Sequence, residues 1–277
     1  MPLLLPSPKQ KRSSPEDPDE YRLTLFEHLE ELRDRIVRSI VAVVVGTIAG
    51  WFLQPTVYAA IEGMAYEAIR AALKTKKVEF HIVFHSATDP FMLKMRLAVL
   101  IGLVMVVPFL IVQIWGFVAP GLKPSERRPF KLLAPYSMLL FFIGAGFCWM
   151  IMPKALTWFV SYFDDFQGTV LNQEAGTMTF FVLKMVAAFG IGFQLPLVVY
   201  GLALAGLLTG EALMQNWRQA ATGIFVAAMV ITPSNDLFSM LAMAIPLVVL
   251  FGISVVAVRF LEKKRGKLAK TDDYTID

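Results

Sequence analysis

Six long apolar stretches decide what this chain can be: about Ile36–Leu53, Leu97–Val118, Leu132–Met152, Phe180–Leu204, Gln219–Ile231 and Leu237–Val258. A helix needs about 20 residues to cross a hydrocarbon layer roughly 30 Å thick. Such a helix satisfies its backbone polar groups internally, as lipid demands. Five stretches approach or pass that length. The fifth in order, bounded by Arg218 and Pro233, would rise only about 20 Å. It must thin the bilayer, lean on Trp217 and a snorkelling Arg218, or stop short of a full crossing. Only 17% of residues are charged and 56% are hydrophobic, against roughly a quarter charged in a soluble domain. The expectation is an all-α integral membrane protein, six transmembrane helices in a curved bundle. An even count puts both termini on one side.

Basic residues say which side. Lys9, Lys11, Arg12, Arg22, Arg33 and Arg35 precede the first run; Lys123, Arg127, Arg128 and Lys131 fall between the second and third; Arg259, Lys263, Lys264, Arg265, Lys267 and Lys270 follow the last. All become cytoplasmic together if the N-terminus is inside. Arg70, Lys74, Lys76 and Lys77 oppose this, in what reads as a long outer loop between the first two runs; the terminal bias outweighs them. Residues 1–20 lack the apolar content for a core and are expected to form a disordered cytoplasmic tail. Residues 21–260 form the membrane domain, and 261–277 a basic then acidic cytoplasmic tail. The net charge of +4 flanks apolar runs and builds no continuous basic face, so nucleic acid is excluded as a partner. The single cysteine, Cys148, cannot form an intrachain disulfide.

Within this frame several residues stand out. Pro108, Pro135, Pro196 and Pro246 interrupt the spans and should bend them. Gly46-Thr-Ile-Ala-Gly50 offers a small-residue packing face. Ahead of the first span, Thr24 and Glu27 read as a capping box. Leu25, Leu29, Leu32 and Ile36 then form the apolar stripe of an amphipathic helix. Its polar face invites the pairs Glu31–Arg35 and Asp34–Arg38. Gln194 is the clearest polar group deep in a span, and Lys184, in the same run, is expected to snorkel outward. Asp236 reads as a helix cap. His81 and His85 lack the further ligands of a metal site, and no metal is expected.

His28-Leu-Glu-Glu31-Leu32-Arg33-Asp-Arg35 resembles the N-terminal signature of the TatC family, the multispanning subunit of the twin-arginine (Sec-independent) protein translocase. Gln113-Ile-Trp115-Gly-Phe117-Val-Ala-Pro120-Gly-Leu122, followed by Glu126-Arg127-Arg128, is similar to that family's first cytoplasmic loop. Phe193-Gln194-Leu-Pro196, Thr232-Pro233 and Ala244-Ile-Pro246 resemble its later spans. Relatives often carry a carboxylate where Gln194 stands, and a proline near Ile61–Ala65 that this chain lacks.

The resemblance implies a signal-peptide receptor and core subunit that exports folded proteins using the proton-motive force. Its implied home is the bacterial cytoplasmic (inner) membrane. Implied partners are twin-arginine signal peptides of folded cargo, single-span TatA- and TatB-type subunits and further copies of the chain. The implied site takes consecutive arginines on Glu31 and Glu126. Leu32, Phe117, Pro120 and Leu122 provide an apolar floor, Arg33 and Arg127 balance the acids, and Gln194 contacts a partner helix. The chemistry is sound, because a guanidinium fork can meet a carboxylate through two parallel hydrogen bonds. No cofactor is implied and no enzyme: GxxxxGK[ST], HExxH and GxSxG are all absent. The alternative, a secondary transporter or channel for a small solute, would place acids at mid-membrane depth. The six runs contain no Asp or Glu.

Overall fold

A computed structural model describes the backbone of residues 25–73, 79–118, 124–162, 170–232 and 236–273, with side chains from 28–73, 81–117, 135–162, 170–232 and 236–263. The elements run α1 (Leu25–Leu73), β1 (Glu79–Val83), α2 (Asp89–Val118), α3 (Pro124–Ser161), β2 (Val170–Glu174), α4 (Ala175–Gly192), α5 (Leu195–Leu204), α6 (Gly210–Gln215), α7 (Trp217–Ile231) and α8 (Leu237–Asp273). Five helical stretches are long and apolar enough to cross a membrane, α4 and α5 counting as one, and α7 is the shorter sixth. The bundle expected from the sequence is therefore present. Thr24 and the side chain of Glu27, the expected capping box, lie outside the described residues.

The first span is far longer than the apolar run suggested. α1 has 49 residues, about 73 Å at helical rise, so it exceeds any bilayer and continues past Pro55. The segment read as outer loop is thus helix up to Leu73. Ile61, Ala65, Ala68, Ile69 and Leu73 are buried in the main core, a helical repeat that overrides the scattered charges around it. Arg70 sits in the last turn, where a cation meets the helix dipole favourably. The earlier half of α1 is an edge, with Val37, Ile40, Val41, Val44, Val45 and Ile48 exposed.

α1 and α2 cross closely because of the glycines. A Cβ on Gly46 would sit 2.8 Å from the Gly102 carbonyl oxygen; one on Gly50 would collide with the Ala98 carbonyl. Small residues let backbones approach where no hydrophobic drive favours helix association. The packing face read from Gly46 and Gly50 is real, and its partner is Gly102.

Two short strands, absent from the sequence reading, join the segments on the side opposite the termini. β1 and β2 pair in parallel with Phe80 opposite Leu171 and Ile82 opposite Gln173. His81 lies in β1, and beyond that strand Asp89 Oδ2 accepts the His85 and Ser86 amides at 2.9 and 2.7 Å. This ties the turn before α2 to the helix's first residue.

Pro108 and Pro246 lie inside continuous helices, and Pro135 lies within α3. At Pro196 the span breaks instead: Phe193 and Gln194 form the joint between α4 and α5, and Pro196 occupies the first turn of α5. Across the short α7 end, the Arg218 guanidinium lies 5.7 Å from the Trp217 ring, an interfacial anchor for an undersized span.

Candidate functional site: a carboxylate where α1 meets the end of α2

His28, Glu31 and Arg35 occupy successive turns on one face of α1, turned toward the last residues of α2. Leu29 and Ile36 of the apolar stripe are 60% and 49% exposed, while the Glu31 and Arg35 side chains on the polar face are only 24% and 22% exposed. In a membrane protein the apolar stripe can face lipid, which frees the polar face to look inward.

Arg35 organises the cluster. Its Nε and Nη2 donate to the same Glu31 oxygen, Oε1, at 3.1 and 2.5 Å. Its Nη1 donates to Gln113 Oε1 at 3.2 Å and lies 3.5 Å from the Gln113 carbonyl. The guanidinium therefore clamps α1 to α2. It rests on Gly116, where a Cβ would collide with Nη1 and stand 2.9 Å from Cζ, so a larger residue there would push the guanidinium aside. The other Glu31 oxygen, Oε2, is buried and has no hydrogen-bond partner among the described residues. The His28 Nδ1 lies 3.9 Å from it. The His28 ring in turn stacks on Phe117, centroids 4.3 Å apart and planes 17° from parallel.

The structure thus brings Glu31 and Phe117 to one place through His28, with Leu32 half-buried beside them. Arg33 is not in the cluster: its exposed side chain reaches Asp34 at 3.3 Å and Glu30 at 3.7 Å. Asp34 therefore meets Arg33 in place of the expected Arg38. Glu126 and Arg127 fall in the first turn of α3, their side chains outside the described residues, and Pro120 and Leu122 are outside them altogether. Sequence reasoning gave no role to Gln113, Gly116 or His28 in this contact. The signal was there, since His28 and Gln113 bound the two motifs it singled out. Trp115 packs with Leu140, Tyr200 and Leu261 around the buried Leu197 and Leu204.

Gln194 is elsewhere, buried between α3 and the α4–α5 joint. Its Oε1 accepts from Ser137 Oγ at 2.7 Å, and its Nε2 donates to the Ser137 and Gly190 carbonyls at 3.1 and 3.3 Å. The amide is spent within the chain. At the start of α8, Asp236 Oδ1 accepts the Ser239 amide at 2.7 Å, the capping role expected of it.

The groups gathered here are of the kind that receives a cation. The site offers a carboxylate oxygen unpaired among the described residues, an aromatic pair and a fixed guanidinium. Among the described residues no group of His, Cys, Asp and Glu could hold a metal.

Comparison with known proteins agrees with this picture. The family model for the Sec-independent protein translocase protein (TatC) matches residues 27–246. The Sec-independent protein translocase protein TatC of Carboxydothermus hydrogenoformans is 34% identical over 252 residues, covering 87% of this chain and 95% of that protein. The chloroplastic TATC protein of Arabidopsis thaliana is 32% identical, over 84% of this chain and 66% of its own length. A crystal structure described as the twin arginine translocase receptor TatC superposes with a TM-score of 0.68 at 30% identity, covering 84% of this chain and 98% of that one.

Proposed function

The chain belongs to the Sec-independent protein translocase (TatC) family, and on that premise we propose that it is the signal-peptide receptor and core subunit of a twin-arginine translocase. It lies in the bacterial inner membrane with both termini cytoplasmic, and it helps export folded proteins using the proton-motive force. Its partners are twin-arginine signal peptides, single-span TatA- and TatB-type subunits and further copies of itself. Its work is recognition and assembly; no bond is made or broken.

The observation that carries this reading is Glu31 Oε2, buried and without a hydrogen-bond partner among the described residues, beside the Arg35 clamp. A buried carboxylate oxygen without a donor costs energy, and an incoming guanidinium supplies the donor. Because Arg35 already holds Oε1, the first arginine of a signal meets Glu31 through one oxygen, not through the two-bond fork. Its neighbour is then left for a second acid, Glu126, at the start of α3 beyond the intervening loop. Phe117, with Leu32, Pro120 and Leu122, covers the apolar part of the peptide, and Arg33 and Arg127 keep the surface from attracting cations indiscriminately. A partner helix at Gln194 would pack over the joint that this amide holds.

Photo-crosslinking of a peptide with paired arginines, and of its Lys-Lys counterpart, tests the assignment. Each charge-assisted bond contributes about 1.5–3 kcal/mol before solvent screening, so Glu31→Gln should weaken the arginine peptide roughly tenfold. Glu126→Ala should do the same, with membrane insertion intact. Equal capture of both peptides, or no loss in either variant, would remove these acids from the receptor.

A further inference from the structure

One face of α4 carries Phe180, Phe181 and Lys184 into a partly open cavity of about 530 Å³, walled by Ile69 of α1, Phe159 of α3 and Leu171 of β2. The cavity lies toward the side opposite the termini, away from the Glu31 cluster. Its lining is mainly aromatic and aliphatic, with one formal charge. Lys184 makes no ion pair, hydrogen bond or ring contact among the described residues.

Lys184 belongs to the membrane-crossing stretch Ala175–Leu204, about 13 Å along α4 from Ala175 at helical rise. A cation at such depth is costly unless it reaches an anion or water. Helical side chains lean toward the N-terminus of their helix, and α4 begins at β2. The Lys184 stem therefore runs up the cavity wall toward the membrane surface, where phosphates lie. A cavity of this size holds a sizeable fraction of a lipid-sized ligand. Its apolar walls suit a hydrocarbon chain, and its ammonium suits an anion. A free phosphate would leave the walls uncovered; a neutral chain would leave the charge unmet.

We propose that this cavity binds an anionic phospholipid from the leaflet opposite the termini, with its phosphate on Lys184 and one acyl chain along Phe159 and Phe181. The site is independent of signal-peptide recognition.

Native mass spectrometry of the full chain, released from detergent with added phosphatidylglycerol or phosphatidylcholine, tests it. The first bound lipid should favour phosphatidylglycerol about five- to tenfold, one near-surface cation's worth. Lys184→Gln should abolish that preference, while Lys184→Arg keeps it. Lys154→Gln, at an exposed lysine on α3 outside the cavity, should leave it unchanged. A wild-type protein without preference overturns the proposal whatever the variants do, as does a Lys184→Gln protein that retains it. If Lys184→Gln instead loses a co-purifying single-span protein with its lipid profile unaltered, the cavity serves a protein carboxylate and the lipid assignment fails.

Discussion

Replacing Gln194 by Met removes three hydrogen bonds and almost no volume. The amide joins Ser137 Oγ, the Ser137 carbonyl and the Gly190 carbonyl at the joint between α4 and α5, and its side chain is buried. Side-chain hydrogen bonds in bilayers contribute about 0.6 kcal/mol each on average, because the unfolded chain in lipid also finds partners. Three of them make about 2 kcal/mol. Met fills nearly the same space, so a cavity penalty adds little. Ser137→Ala removes only the hydroxyl, since its carbonyl remains, and should cost about one third as much. The two changes should therefore be non-additive by about 0.6 kcal/mol, the value of the single Oγ–Oε1 bond. Reversible unfolding in mixed micelles, titrated with dodecyl sulfate, measures all four corners of the cycle. If Gln194→Met falls within 0.5 kcal/mol of wild type, the amide contributes no net stability. If the double variant is strictly additive, Ser137 and Gln194 do not cooperate and the bond has been misjudged.

Two further perturbations follow from the packing. Gly102→Ala would place a methyl 2.5 Å from the Gly46 carbonyl oxygen, which forces α1 and α2 apart at about 1–3 kcal/mol; cysteine crosslinking between α1 and α2 near the crossing should slow, and unchanged rates would contradict the contact. Asp236→Ala removes the cap on the Ser239 amide and should cost about 1 kcal/mol, restored by Asp236→Asn and read in the same micelle titration.

The spans were legible because hydrophobic length is a local property: each run in the sequence is helical, the fourth divided between α4 and α5. Gly46 and Gly50 declared a close crossing, yet not with which helix, since Gly102 belongs to a run with its own apolar neighbours. The second half of α1 was hidden by Glu62, Glu67 and Arg70, which suggested a loop. The repeat Ile61, Ala65, Ile69, Leu73 was available there and shows a helix with one buried face. β1 and β2 could not be read, because five-residue strands gain stability only from pairing across a long separation in the chain. At the site, the two motifs around Glu31 and Phe117 located the contact. The apolar stripe of α1 was legible from its spacing, but not that Glu31 and Arg35 on its polar face would meet α2 while Leu29 and Ile36 stay exposed.

That arrangement bears on how the receptor end can move. α1 is held in the core by Ile61, Ala65, Ile69 and Leu73 and pinned to α2 at the Gly46–Gly50 crossing. Beyond the crossing, its first turns meet α2 through the Arg35 bonds to Gln113 and the His28–Phe117 stack. Few buried contacts mean low-energy local opening. Both ends of this helix extend past the bilayer, so water reaches each and hydrogen exchange can compare them. Amides of residues 29–35 should exchange at least tenfold faster than those of residues 66–73. A bound twin-arginine peptide should slow only the first group, because it adds a donor to Glu31 and nothing near Ile69. Equal protection at the two ends would show that α1 is rigid throughout. Slowing at both would mean that the peptide acts on the whole bundle and not on a locally held carboxylate.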